Sequence, residues 1–238
     1  MSSPASAVIE QPGRQAGRLS RGEVHAWVVD LDSPATNWLQ CLNAAERDRA
    51  RRYLSPRDGA RFAASRAALR VILGSYLSAS PAALRFGTRA GGRPVLVAPG
   101  PGGLEFSQAR TAGLALITVS LGPVGADIEE VRPHPGLADI VATRFGSAEA
   151  ACIAGGCAGT ALASFYRHWT AKEAYLKAIG IGLAGLAHTA VDCSRGPAIR
   201  FRGRPVSGLR LWLPDVSPGI AAAIVSSGPV AGCWQLAC

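Results

Sequence analysis

The chain has 238 residues, 48% of them apolar, and 25 Lys and Arg against 16 Asp and Glu give a formal net charge of +9. That length can bury one large core or two smaller ones. No apolar run approaches the roughly 18–20 residues that span a bilayer, which argues against a membrane-spanning protein; the cysteine usage is what points to a cytoplasmic one. So large a positive charge selects anionic partners: nucleic acid, an anionic membrane, phosphate ligands or an acidic protein.

Residues 1–22 are rich in Ser, Pro, Gly, Gln and Arg and lack the apolar stretch of a secretory signal, so they read as a disordered tail. Val24–Leu31 is apolar and β-branched, a first strand, and a short helix or turn follows at Asn37–Leu42. Asn43-Ala44-Ala45-Glu46 has the form of a capping box opening a helix to about Tyr53, broken at Ser55-Pro56. Arg57–Leu77 is the next helix, with Phe62, Leu69, Leu73 and Leu77 on one face. Eight arginines crowd Arg47–Arg70. They read either as solvated helix faces or as a polyanion-binding surface. No helix-turn-helix, zinc-finger or RNA-recognition pattern accompanies them, and aromatics are few. Leu84–Gly87 is a short strand, and Gly91-Gly92-Arg93-Pro94 a tight turn.

Gly113–Ser120 reads as a buried strand, Leu121-Gly122-Pro123 as a turn, and Val124–Glu130 as the strand returning beside it. Asp127 and Glu129 stand two apart, so both carboxylates face one side of that strand. Two carboxylates aimed together repel unless a cation or a basic group lies between them. A few oxygen ligands suit Mg²⁺. Short helices at Leu137–Phe145 and Ser147–Ile153 lead to a long one, Ser164–Gly180. Glu173 and Lys177 share one face of it, with Gly180 as C-cap. Taken alone the pair is an ordinary surface ion pair; beside Asp127 and Glu129, Glu173 becomes a third oxygen ligand. Strand-like runs at Thr189–Cys193, Ala198–Phe201, Leu209–Leu213, Ile220–Ser226 and Ala231–Leu236 read as an antiparallel sheet. The six cysteines form no C-x-x-C pair, so they are expected as reduced, mostly buried thiols rather than a disulfide or metal framework. The four histidines are scattered and read as structural or exposed, with His168 the one nearest the active face of the long helix.

Val-Gly-Ala-Asp-Ile-Glu at 124–129, followed by Trp-Thr-Ala-Lys-Glu-Ala-Tyr-Leu-Lys at 169–177, resembles the two-part motif of the 4'-phosphopantetheinyl transferases. The length and single-chain layout look like the Sfp type of that family. The resemblance implies an α+β fold of two similar α/β subdomains related by a pseudo-twofold, each a small, mostly antiparallel sheet packed with helices. The halves would be 23–121 and 122–238, with the site in the cleft between them. It implies transfer of 4'-phosphopantetheine from coenzyme A to a serine of an apo acyl or peptidyl carrier protein, Mg²⁺-dependent, by a monomer that binds neither nucleic acid nor membrane.

Carried onto this sequence, the metal ligands are Asp127, Glu129 and Glu173, and the catalytic residues Glu173 and Lys177. Arg49 and Arg61, with Arg52 as a further candidate, match the groups that take the 3'-phosphate of coenzyme A. Arg93 stands where the family has the lysine of Gly-Lys-Pro. Asp127, Lys172 and Lys177 complete the cofactor contacts. The family's Phe-Asn-Leu-Ser-His-Ser is replaced: Phe106 matches, Ala109 and Arg110 stand for Ser-His, and Thr111 for the last serine. Two other readings remain, a basic polyanion binder and a member of the fold that has lost transfer activity, the latter hinted at by Ala109 and Arg110.

Overall fold

Strand β2 (Val24–Asp30) explains the architecture, because both of its faces are buried. Val24, Ala26 and Val28 pack into one apolar cluster, while Trp27 and Val29 pack into another. A strand buried on both sides must lie inside a layered structure. The computed structural model describes residues 9–10, 19–33, 38–89, 92–98, 103–192 and 197–236.

In chain order the elements before the midpoint are β1 (Ile9–Glu10), β2, α1 (Ala44–Arg51), α2 (Pro56–Leu77), β3 (Arg85–Thr88), β4 (Pro94–Ala98), β5 (Glu105–Thr111) and β6 (Leu114–Ser120). Then come β7 (Val124–Glu130), α3 (Leu137–Arg144), α4 (Ser147–Ala154) and α5 (Ala161–Ile179). Strands β8 (Thr189–Asp192), β9 (Ala198–Phe201), β10 (Arg204–Pro205), β11 (Arg210–Trp212), β12 (Ile220–Ser226) and β13 (Val230–Leu236) follow. Single 3₁₀ turns at Trp38–Cys41, Pro81–Ala83 and Leu183–His188 join some of them. Among the described residues no helix is long and apolar enough to cross a membrane.

Four layers result. Helix α2 lays Leu69, Ile72 and Leu73 against Trp27, Ile117 and Val119 of a five-stranded sheet ordered β1-β13-β2-β6-β5. The opposite face of that sheet, through Val24, Ala26, Val28 and Leu116, meets Val124, Ala126 and Ile128 of β7 and Ala222 and Ile224 of β12. Strands β11, β12 and β7 form a second sheet, and its outer face takes α5 through Ala171, Ala174 and Ala178 against Ala223 and Val225. This is the mixed α+β fold with small sheets that the sequence predicts.

Three strand expectations are corrected. Strands β6 and β7 are not a hairpin: β6 pairs along its length with β2 on one edge and β5 on the other, so no edge is left for β7. Strand β7 pairs with β12 instead. Strand β5 was not recognised from its mixed polar sequence. The later strands do not make one antiparallel sheet. Strands β8–β10 form their own sheet, β11 and β12 join β7, and β13 enters the first sheet parallel to β2. Of the expected tail, residues 1–8 and 11–18 lie outside the described residues, while Ile9–Glu10 pairs with the open edge of β13.

The close contact between α5 and β7 depends on one glycine. A Cβ at Gly125 would collide with the backbone of Ala174 and Ala178 on α5. Gly125→Ala is therefore expected to cost about 1–3 kcal/mol of stability by overpacking. It should also lower activity, because the same strand carries Asp127. Chemical denaturation and an activity assay on the one variant check both.

Candidate active site

Alternation along β7 sets the floor of the site. Val124, Ala126 and Ile128 point to the first sheet, so Gly125, Asp127 and Glu129 point to α5. The helix begins one turn earlier than its sequence signals suggest, at Ala161. Thr160 is the N-cap, and its hydroxyl accepts from the Ala163 amide at 3.1 Å. It ends at Gly180 in the left-handed conformation, φ 73°, whose amide donates to the Leu176 carbonyl. Between these caps, Glu173 and Lys177 fall over the acidic face of β7.

The Lys177 Nζ donates to Asp127 Oδ1 at 2.5 Å and stands 4.0 Å from Glu173 Oε2. The other oxygen of Asp127, Oδ2, is buried and has no partner among the described residues. Thr111 Oγ1 donates to Glu129 Oε2 at 3.4 Å and accepts the Glu130 amide at 3.0 Å, tying β5 to the end of β7. Burial pushes the Asp127 carboxyl up, and Lys177 opposes this only in part. Burial also raises Glu129, with the charge of Asp127 adding to it. Glu173 is pushed up to about 7, first by burial, then by repulsion from Asp127 and Glu129, against the pull of Lys177. Three carboxylates thus share one ammonium. The unpartnered Asp127 oxygen, the oxygen-only donor set and the surplus negative charge fit a small hard divalent cation.

Beside Glu173 and Lys177 opens a cavity of about 240 Å³, lined also by Phe106, Gln108, Leu176 and Leu183 among others. Gly92, Pro94 and Gln108 also border a groove that carries Arg49, Phe62, Arg66 and Arg110, so cavity and groove adjoin. Arg49 lies over the Phe62 ring at 5.0 Å. Arg110 lies over the same ring at 5.3 Å and donates to the Tyr53 hydroxyl at 2.8 Å. Among the described residues neither of these guanidiniums, nor that of Arg52 nearby, has a carboxylate partner within ion-pair distance. The groove therefore offers uncompensated positive charge over an aromatic floor.

Other predicted residues are not brought here. Lys172 is fully buried on another face of α5 and donates to Glu149 Oε2 at 2.9 Å and the Arg144 carbonyl at 2.7 Å. One residue along a helix turns the side chain by about 100°, so Lys172 meets α4 while Glu173 meets β7. Arg61 forms a bidentate pair with Asp32, Nε to Oδ1 at 2.7 Å and a terminal nitrogen to Oδ2 at 2.6 Å. Arg61 and Arg57 together hold the Asp32 carboxyl well below the usual range. Arg93 borders the cavity, but its terminal nitrogens donate to Lys177 O, Ala178 O, Glu105 Oε2, Phe106 O and Val124 O. It braces the carbonyl end of α5 against β5 and β7. His168 is buried, with Nδ1 2.8 Å from the Ser164 carbonyl.

Two contributors escaped the sequence reading. Gln108, which borders both cavity and groove, donates to Ser65 at 2.8 and 2.9 Å and anchors β5 on α2. Ser107 Oγ accepts the Ala126 amide at 3.0 Å, locking β7 to β5. The expectation of reduced thiols is also corrected in part. Gly155 and Gly156 turn the chain after α4, and Cys152 is joined to Cys157 in a disulfide. Cys41 is free; Cys193 and the side chains of Cys233 and Cys238 lie outside the described residues.

An acidic cluster with one lysine, whose Glu173 and Lys177 line a cavity that adjoins a groove carrying Arg49 and Arg110, is suited to a ligand that carries several phosphates. Residues 123–217, which contain Asp127, Glu129 and Glu173, match the sequence model of the 4'-phosphopantetheinyl transferase superfamily. The chain is 31% identical over 218 residues to the 4'-phosphopantetheinyl transferase HetI of a Nostoc species, covering 90% of each. It is 30% identical over 187 residues to a phosphopantetheinyl transferase of a Thraustochytrium species, covering 68% of this chain and 65% of that one. It is 25% identical over 146 residues to a 4'-phosphopantetheinyl transferase of Bacillus subtilis, 61% and 63% of the two chains. The chain belongs to the 4'-phosphopantetheinyl transferase superfamily, and it is an enzyme of that transferase type.

Proposed function

We propose that the enzyme moves the 4'-phosphopantetheine arm of coenzyme A onto a serine of an apo acyl or peptidyl carrier domain, with Mg²⁺, releasing adenosine 3',5'-bisphosphate. The observation that carries this reading is the mutual charge interaction of Asp127, Glu129 and Glu173, with an Asp127 oxygen that has no partner among the described residues, beside a cavity that Glu173 lines and that adjoins the groove of Arg49 and Arg110.

Arg49 and Arg110 bind the 3'-phosphate end, where paired guanidinium donors suit phosphate and keep their charge at every working pH. Lys177 takes a pyrophosphate oxygen. Phe106, Leu176 and Leu183 supply an apolar wall for the arm. The serine hydroxyl forms a bond to phosphorus as the bond to the bisphosphate oxygen breaks, and the hydroxyl proton passes to the Glu173 carboxylate. Without the ion, burial already raises this carboxyl's affinity for a proton. Asp127, Glu129 and Glu173 would hold Mg²⁺, which would neutralise the pyrophosphate charge and polarise the phosphorus. The polyanion alternative is less well supported, because Arg61, Arg66 and Arg70 are engaged by Asp32 and Glu46 rather than turned outward.

Mixing the enzyme with coenzyme A, Mg²⁺ and an apo carrier domain, then weighing the carrier by mass spectrometry, tests the reading. A carrier that gains the arm supports it. An unmodified carrier, where a known transferase modifies the same preparation, sinks it. Acidic carriers should be steered by the positive surface, so transfer should slow markedly as salt is raised. A rate flat with ionic strength would remove the basic surface from docking.

The raised Glu173 carboxyl also predicts a thermal signature. Its folded-state value lies above the unfolded one, so its contribution to stability is full below the ordinary glutamate range and is lost as pH rises through about 7. Mg²⁺ binding to the ionised cluster should therefore raise Tm more at about pH 8 than at about pH 5. Equal shifts at both pH values would separate the ion from these carboxylates.

A further inference from the structure

We propose that Cys152, Cys157 and His168 form a second metal site, one for a thiophilic cation such as Zn²⁺, which opens when the Cys152–Cys157 disulfide is reduced. This goes beyond the transfer reading and does not depend on it. The sulfurs of both cysteines and a ring nitrogen of His168 lie within 4.8 Å of one another. Cys152 sits in the last turn of α4, Cys157 on the turn that follows, and His168 in α5.

Three features prepare the cluster for ligation. His168 is 1% exposed, and its Nδ1–H donates to the Ser164 carbonyl at 2.8 Å. A carbonyl only accepts, so the hydrogen of this bond sits on Nδ1 and Nε2 is the nitrogen left to ligate. A backbone carbonyl on the other ring nitrogen is the usual outer partner of a metal-binding imidazole. The chain between Cys157 and α5 is tied down, with the Ala158 amide donating to Ser164 Oγ at 2.8 Å and that hydroxyl donating to the Thr160 carbonyl at 2.8 Å. Cys157 itself is exposed, which gives a reductant and an incoming ion access.

The chemistry balances. A dithiol reductant transfers two electrons and two protons to the disulfide and leaves as its own cyclic disulfide, giving two protein thiols. Zn²⁺ then displaces both thiol protons and accepts two thiolates and one imidazole nitrogen, with water in the fourth position. Tetrahedral ligands at ordinary zinc distances stand roughly 3.4–3.8 Å apart. The sulfurs must therefore part, a change the exposed turn at Cys157 can take up. The acidic cluster on β7 is a hard oxygen site and does not compete for this ion's sulfur preference.

Co²⁺ is the probe. The protein is reduced with dithiothreitol, desalted under argon and titrated with Co²⁺ alone. A thiolate-to-cobalt charge-transfer band should saturate at one equivalent and disappear on adding Zn²⁺. The same titration of the oxidised protein, and of reduced Cys157→Ser, should give no such band, while His168→Gln should weaken binding at least about tenfold. Cys157 is exposed, so its variant remains informative if the buried histidine variant does not fold. No band in the reduced wild type, or an equal band in Cys157→Ser, overturns the site. Neither readout uses coenzyme A, so failure here is separate from failure of the transfer reading.

Discussion

Glu173→Gln is expected to lower kcat by about 10²–10⁴-fold while coenzyme A still binds. The substitution keeps size and hydrogen-bonding capacity but removes the one group in the cavity wall whose carboxyl sits near 7. The 3'-phosphate end of the ligand would lie against Arg49 and Arg110, well away from the change, so its affinity should be little altered. The variant should also need more Mg²⁺, since one of three carboxylates is gone. Single-turnover transfer measured alongside coenzyme A titration separates the two effects. Turnover within a few-fold of wild type would take Glu173 out of the chemistry and leave it a ligand at most.

Glu46→Ala should be the most destabilising single change outside the apolar core, at about 3–5 kcal/mol in urea unfolding. Arg70 is completely buried, and its charge is balanced by Glu46 Oε2 at 2.8 Å. Arg66 donates to Glu46 Oε1 at 2.9–3.0 Å, and the Asn43 amide donates to Oε2 at 3.1 Å as half of the α1 capping box. Removing the carboxylate leaves a guanidinium in the interior with only the Pro81 and Leu84 carbonyls as acceptors. The double variant Glu46→Leu, Arg70→Met should lose less than the single one, because the stranded charge goes with its partner. Burial pushes the Glu46 carboxyl up, but the bonds from Arg70, Asn43 and Arg66 outweigh it and the net shift is downward. Its contribution is thus present above the ordinary glutamate range and lost as pH falls through the folded-state value. The gap between wild type and Glu46→Ala should narrow in acid. A loss below about 1 kcal/mol at neutral pH would show the buried guanidinium to be satisfied without Glu46.

The acidic cluster was legible in the sequence because it depends on two short periods. Residues two apart on a strand and four apart on a helix share a face whatever the rest of the fold does, so Asp127 with Glu129 and Glu173 with Lys177 could be paired in advance. Lys172 could not be placed, since its fate is decided by Glu149 on a neighbouring helix. The arginines were ambiguous for the same reason. Side-chain type says that each can hold a phosphate, but only the fold brings Asp32 to Arg61 and Glu46 to Arg66 and Arg70, leaving Arg49 and Arg110 without a carboxylate partner among the described residues. The layer order was hidden too. The polar look of Glu105-Phe106-Ser107-Gln108 concealed β5, and with β5 unseen the free edge of β6 was wrongly given to β7.

Strand β13 lies between β1 and β2, so an inner strand of the first sheet comes from residues 230–236. A ribosome delivers β2, α2, β5 and β6 long before that strand exists. Until it arrives, β2 must wait with an open edge of amides and carbonyls, which is a template for unwanted pairing. The first sheet therefore closes only after β13 has been made, and until then the edge of β2 is the surface of the nascent chain most open to mispairing.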